Sequence, residues 1–153
     1  EQTRQAFAWC REAGIDTHAH LMVGMPGETH ESMEDTLSLA LEIEPTTATF
    51  GICTPYPGTP LFRDVVRNDP SIGDGADNAT MERLHVMGDY NHLYCDVEGP
   101  ILQETIKRFY RAFYRRPAYL WRMVLRIRNM NMLRNALIGG LNVLSFSSDV
   151  PRT

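Results

Sequence analysis

The sequence predicts an α/β fold with a parallel sheet, and three observations carry that reading. Residues 17–29, THAHLMVGMPGET, run from a short apolar strand through a Gly/Pro turn into an acidic, helix-like segment. A second stretch rich in β-branched and aromatic residues, TTATFGICT at 46–54, follows that helix. Each strand then hands over to a Pro/Gly loop, MPG in the first case and PYPGTP in the second. Helix, strand, helix, strand is part of a repeating βα pattern, whose strands are parallel and whose crossovers are right-handed.

Residues 1–13 read as a helix, with Ala6, Phe7, Trp9, Cys10 and Ala13 as its apolar stripe and Gly14 as its stop. Residues 15–23 form the first strand, in which Asp16, His18 and His20 share one face. A His/His/Asp face can hold a metal, but no further ligand has a recognisable spacing, and a polar face toward a pocket or neighbouring strand accounts for the same residues. In the loop, Gly24 has no Cβ and so allows close approach of another molecule, while Pro26 stiffens the turn. The first N–H groups of the next helix point at the top of this strand. Ligands of parallel α/β sheets bind at that C-terminal edge. A ligand-contacting loop and an ordinary strand-to-helix turn both fit the pattern.

Residues 29–44 are the crossover helix, with Met33, Thr36, Leu37, Ala40 and Leu41 inward, Glu31, Glu34, Asp35 and Glu42 outward, and Pro45 as the stop. Residues 46–54 are the second strand. Two strands leave a parallel sheet largely uncovered, which points to further strands outside this sequence. Pro55, Pro57 and Pro60 make the second loop a rigid lip at the same edge. A short helix at 61–66 and a polar loop at 68–78 follow. Residues 80–96 are ambiguous. If they are helical, His85, Asp89 and His92 share a face, but Gly88 weakens the helix and no HExxH-type pattern surrounds them, so a solvated polar face is favoured over a metal site. Residues 100–115 form a helix that buries Leu102, Thr105, Ile106, Phe109 and Phe113 and keeps Lys107, Arg108, Arg111 and Arg115 outside. Pro117 breaks it. A second helix spans 118–138 and ends at Gly139-Gly140.

With 153 residues, 43% of them apolar and 22% charged, the chain has the composition of a globular domain with a real core. Its net charge of −4 conceals an asymmetry. Before residue 101, five basic residues face seventeen acids; from there on, ten basic residues face Glu104 and Asp149 alone. A basic tail on an acidic body suggests an anionic surface, membrane or partner for the tail. Cys10, Cys53 and Cys95 are widely separated, with no CxxC pattern and an odd count, so a disulfide framework is not expected. There is no leader-like start and no apolar run long enough to span a membrane, which leads us to expect a cytoplasmic location, with peripheral membrane contact left open. The chain also starts inside a helix without Met, as a piece of something longer would.

Taken together, HLMVGMPGET and TFGICTPYPGTPLF resemble the second half of the barrel of radical S-adenosylmethionine (radical SAM) enzymes. The similarity is to the cobalamin-domain-containing branch that includes the anaerobic magnesium-protoporphyrin ester cyclase and related methyltransferases, and FYRAFYRRPAYLWR is similar to a segment after the barrel there. The resemblance covers most of residues 1–136. It implies the C-terminal part of a partial (βα)6 TIM-like barrel at 1–66, a connecting segment at 67–99 and a basic helical extension at 100–153. It also implies an S-adenosylmethionine pocket whose matching positions here are Leu21, Val23, Gly24, Pro26, Glu28, Ile52, Thr54 and Pro55. Adenine needs an apolar wall that can be approached closely, and Val23-Gly24 would supply one. The resemblance assigns no catalytic residue and no metal ligand to this chain. The branch's CxxxCxxC cluster motif is absent from these residues, and so is the preceding cobalamin domain.

The expected function is therefore a portion of a radical SAM enzyme, active only together with the missing barrel half and cobalamin domain. The longer protein would use a [4Fe-4S] cluster, S-adenosylmethionine and cobalamin on a small-molecule substrate, for methyl transfer or oxidative cyclisation on a carbon skeleton. Its substrate would be set largely outside this chain. No nucleic acid partner is expected. The alternative is a non-catalytic module whose basic C-terminal helices dock to an anionic membrane surface or partner. Against that stands a packing role, in which Phe109, Phe113, Leu120, Val124, Leu125 and Ile127 are buried and Arg108, Arg111, Arg122 and Arg126 are more exposed.

Overall fold

The computed structural model describes residues 1–73, 91–127, 134 and 138–140. His85 and Asp89, and the greater part of the helix expected beyond residue 127, lie outside the described residues. The chain divides into two compact units, Glu1–Glu104 and Thr105–Thr153.

In the first unit, helix α1 (Gln2–Glu12) precedes strand β1 (His18–Val23), helix α2 (His30–Ile43), strand β2 (Thr47–Ile52) and helix α3 (Pro60–Asn68). The strands pair in parallel, from His18 opposite Thr47 to Val23 opposite Ile52. Backbone bonds extend the ladder at both ends, Thr47 N–H to Thr17 O at 3.1 Å and Cys53 N–H to Val23 O at 2.8 Å. The expected adjacent parallel strands and their connecting helix are thus present. A partial barrel is not shown: among the described residues the hydrogen-bonded sheet is β1–β2, two parallel strands of six residues each.

Alternation sorts the sheet into two faces. Ala19, Val23, Ala48 and Phe50 are buried, as are Met33, Leu37, Ala40 and Ile43 along the inner stripe of α2. His18, His20, Met22 and Thr49 are exposed on the other face. Helix α2 starts from a capping box: the Thr29 hydroxyl accepts from Ser32 N–H at 3.1 Å, and Ser32 Oγ accepts from Thr29 N–H at 3.0 Å. It ends with Glu44 in the left-handed region (φ 48°), after which Pro45 cannot continue it. Helix α1 buries no residue fully. Its Arg4 pairs with Glu42 at 2.7 Å, and Arg11 Nη1 donates to Ile43 O at 3.2 Å, so the Arg4–Phe7–Ala8–Arg11 side faces α2. Trp9 lies half a helical turn away from that side and is exposed, contrary to its place in the expected stripe. Phe62 and Val65 of α3 form a small core with Ile72, joined by Val66, Leu93 and Tyr94.

Helix α4 (Gly99–Tyr114) carries the expected stripe, with Leu102, Thr105, Ile106, Phe109 and Phe113 all buried. Lys107 and Arg111 are half-buried rather than outside. Helix α5 (Pro117–Arg126) is shorter than expected, because Ile127 leaves the helical region (ψ 109°). In the second unit, Phe113 meets the Tyr114 and Tyr119 rings at 4.9 and 5.3 Å, and the Arg116 guanidinium stacks over Phe113 at 4.9 Å. Tyr119 is buried, but Leu120, Trp121, Val124 and Leu125 are exposed, Ile127 is half-buried and Arg122 is half-buried. This overturns the expected burial of α5. The helix turns its Tyr119 side inward, and the apolar stripe lies on the opposite side. Gly139 and Gly140 are helical.

Candidate functional site

The two loops at the C-terminal edge of the sheet are one device used twice. In Met25-Pro26-Gly27-Glu28, Glu28 N–H donates to Met25 O at 3.0 Å; in Tyr56-Pro57-Gly58-Thr59, Thr59 N–H donates to Tyr56 O at 3.1 Å. Gly27 (φ 78°) and Gly58 (φ 88°) occupy the third position of each turn, where positive φ is required, and proline presets the second. A threonine then caps the next helix, Thr29 for α2 and Thr59 for α3, where Thr59 Oγ1 accepts from Phe62 N–H at 3.2 Å. Because β1 and β2 are parallel neighbours, both loops lie at the same sheet edge.

Gly24 sits between β1 and the first turn, with φ 81°. A Cβ there would meet Leu102 Cδ1 at 3.0 Å, Asn91 Nδ2 at 3.1 Å and Ile52 Cγ2 at 3.4 Å. The close approach that glycine permits is therefore used by the chain itself. Its N–H donates to Glu28 Oε2 at 3.0 Å, and the other oxygen of that carboxylate accepts from the Ser32 hydroxyl. Glu28 thereby ties the loop to the first turn of α2.

Residues 91–102 complete the edge. Asn91 is buried, and its Nδ2 donates to Tyr94 Oη at 3.0 Å; Tyr94 in turn donates to Cys53 O, just past β2, at 2.6 Å. Burial pushes the Tyr94 phenol well above its ordinary value, with the Cys53 and Cys95 thiols adding to the rise. It therefore acts as a neutral donor. Asn91 and Tyr94 carried no signal in the sequence, since neither belongs to a periodic stripe. Leu102 did, but periodicity cannot show what a buried side chain reaches.

Of the positions taken from the resemblance, Val23, Gly24 and Pro55 are buried, Leu21, Glu28, Ile52 and Thr54 are half-buried, and Pro26 is exposed. All flank the same edge. On the open sheet face, the His18 ring nitrogens lie 2.6 Å from Thr47 Oγ1 and 2.8 Å from Thr49 Oγ1, and the His20 ring is 4.3 Å away. Burial lowers the His18 pKa, and the neighbouring His20 lowers it further. Two hydroxyls thus account for both His18 nitrogens. Among the described residues, no three His, Cys, Asp or Glu side chains are grouped as a metal site.

Comparison with known proteins finds partial similarities. Over 64 residues the chain is 38% identical to an anaerobic magnesium-protoporphyrin IX monomethyl ester cyclase of Cereibacter sphaeroides, a match covering 42% of this chain and 10% of that protein. Over 120 residues it is 27% identical to the enzyme of the same name from Rubrivivax gelatinosus, covering 78% of this chain and 20% of that protein. Parts of this chain are thus similar in sequence to those cyclases. It is also 32% identical over 69 residues to a Pyrococcus horikoshii protein named as an uncharacterized methyltransferase, covering 45% of the chain and 15% of that protein. No family model matches the chain, and no solved structure matches it. The chain spans a fifth or less of the length of these curated relatives.

Among the described residues, Cys10, Cys53 and Cys95 are not grouped as a cluster site. Cys53 and Cys95 are buried and Cys10 is half-buried on α1. Burial raises the Cys53 and Cys95 thiols above their ordinary value.

Proposed function

We propose that this chain is a portion of a radical SAM enzyme that catalyses methyl transfer or oxidative cyclisation on a carbon skeleton, and that it contributes part of the S-adenosylmethionine pocket and of a partial barrel. The observation that carries the reading is the pair of parallel strands ending in two Pro-Gly turns at one edge, in a chain related to a named cyclase and a named methyltransferase. S-adenosylmethionine, once bound to a cluster ligated elsewhere in the longer protein, would supply the radical chemistry. The role of these residues is positional. Leu21, Ile52 and Thr54 are half-exposed at the edge and would offer the adenosine an apolar wall. Val23, Gly24 and Pro55 are buried and would support that wall, and Glu28 would hold its loop in place. Cobalamin and the cluster would be held outside this chain.

The test uses the longer protein, prepared anaerobically. Formation of 5′-deoxyadenosine from S-adenosylmethionine is the expected result, and its absence from a cluster-loaded preparation would refute the reading. Ile52→Ala should weaken S-adenosylmethionine binding in calorimetry roughly tenfold, the equivalent of about 1.4 kcal/mol of lost apolar contact. Unchanged affinity would remove β2 from the pocket.

A further inference from the structure

We propose that helix α5 is a lipid-docking element that lies in the headgroup plane of an anionic membrane. This concerns a surface remote in sequence from the two loops and is independent of the function proposed above. Leu120, Trp121, Val124 and Leu125 are 53, 65, 58 and 66% exposed. At about 100° per residue they form one stripe on the side of the helix opposite Tyr119, which is buried. Four large apolar side chains in two turns exceed the scattered exposure normal for a soluble surface, and such patches mark interaction sites.

Charge selects the occupant. From residue 101 onward, ten basic residues face two acids, a net +8 in an otherwise acidic chain. Arg115 immediately precedes the helix and Arg126 lies in its last turn, and both are exposed. An apolar stripe containing Trp and Leu, backed by arginines, is the pattern of a helix lying in a bilayer interface. Trp prefers the headgroup level, and guanidinium groups meet lipid phosphates with matched geometry. No helix among the described residues is long and apolar enough to cross a membrane.

The test uses the 153-residue chain carrying Trp9→Phe, which leaves Trp121 as the sole tryptophan. Vesicles of phosphatidylcholine are compared with vesicles in which part of that lipid is replaced by phosphatidylglycerol. The proposal expects co-sedimentation with the anionic vesicles, a blue shift of Trp121 fluorescence on binding, and weakening at high salt. In the chain with Trp9 restored, Trp121→Ser with Leu125→Ser should reduce partitioning at least about tenfold without changing circular dichroism, since both side chains are exposed. Arg115→Gln and Arg126→Gln should each reduce it roughly three- to tenfold on anionic vesicles only. Absence of binding, equal binding to neutral vesicles, or binding indifferent to the Trp121/Leu125 pair would each overturn the proposal. So would a concentration-dependent dimer, lost with that pair and unaccompanied by vesicle binding, which would assign the stripe to a second copy of the chain.

Discussion

At Gly24 and Gly27 the same residue type serves two different ends. Both have φ near +80°, but a Cβ on Gly27 meets nothing within 4 Å, whereas one on Gly24 meets Leu102 and Asn91. Gly27→Ala should therefore cost only the left-handed backbone term, roughly 1 kcal/mol. Gly24→Ala should cost that and a further ~1–3 kcal/mol of overpacking. Urea unfolding of the two variants measures the difference, and equal losses would show that Leu102 and Asn91 yield freely. Glu28 offers a second check. Glu28→Ala removes the acceptor of Gly24 N–H and should cost about 1–3 kcal/mol, while Glu28→Gln keeps an oxygen there and should cost less. His18 makes a pH-dependent case. Its pKa lies below the ordinary 6.5, first through burial and then through the charge of His20. The folded state thus favours the neutral ring: the associated stability is present above the ordinary value and is lost as pH falls through the folded one. His20→Ala should raise the His18 midpoint in an NMR titration, and an unmoved midpoint would leave burial as the whole cause.

At the scale of the element, the helices show what pattern can and cannot convey. Phe109 and Phe113 are fully buried in α4, whereas Leu125 in α5 is two-thirds exposed, although both helices carry similar amphipathic sequences. Phe109→Ala should accordingly cost roughly 3–5 kcal/mol and Leu125→Ala under about 0.5 kcal/mol, as measured by thermal or denaturant unfolding. Periodicity identified α2 and α4 because each has a single apolar side, and one side is all that a period can specify, whereas the strands were legible from their apolar and β-branched composition. It failed for Trp9 and for the α5 stripe because a stripe records which residues are apolar and not which neighbour is available to cover them. The Pro-Gly turns were readable from residue type, since proline and positive φ leave few alternatives. The Asn91–Tyr94–Cys53 link was not, because it joins residues about forty positions apart through a single backbone carbonyl.

At the scale of the whole molecule, the described residues cover the sheet on one side. Its buried side holds Ala19, Val23, Ala48 and Phe50, while His18, His20 and Met22 stand exposed on the other. Parallel sheets occur almost always with both faces covered, and the strands of barrels turn one face to a filled interior. If this segment completes a barrel in a protein of its relatives' length, the His18–His20–Met22 face is the one that must turn inward. That makes a specific prediction. Met22 is 54% exposed here, so a mild oxidant should convert it to the sulfoxide readily in the 153-residue chain, and diethylpyrocarbonate should modify His20. Both reactions should slow at least several-fold in the longer protein, read by peptide mass spectrometry. Leu120 and Leu125 would provide no such contrast, but Met25, exposed in the loop beside the edge, serves as an internal control for general changes in access. Protection of Met22 together with Met25 would mean only that the edge is covered. Protection of Met22 and His20 with Met25 still reactive would place cover on the open face itself, as a barrel interior requires, and equal reactivity in both proteins would exclude the barrel for this segment.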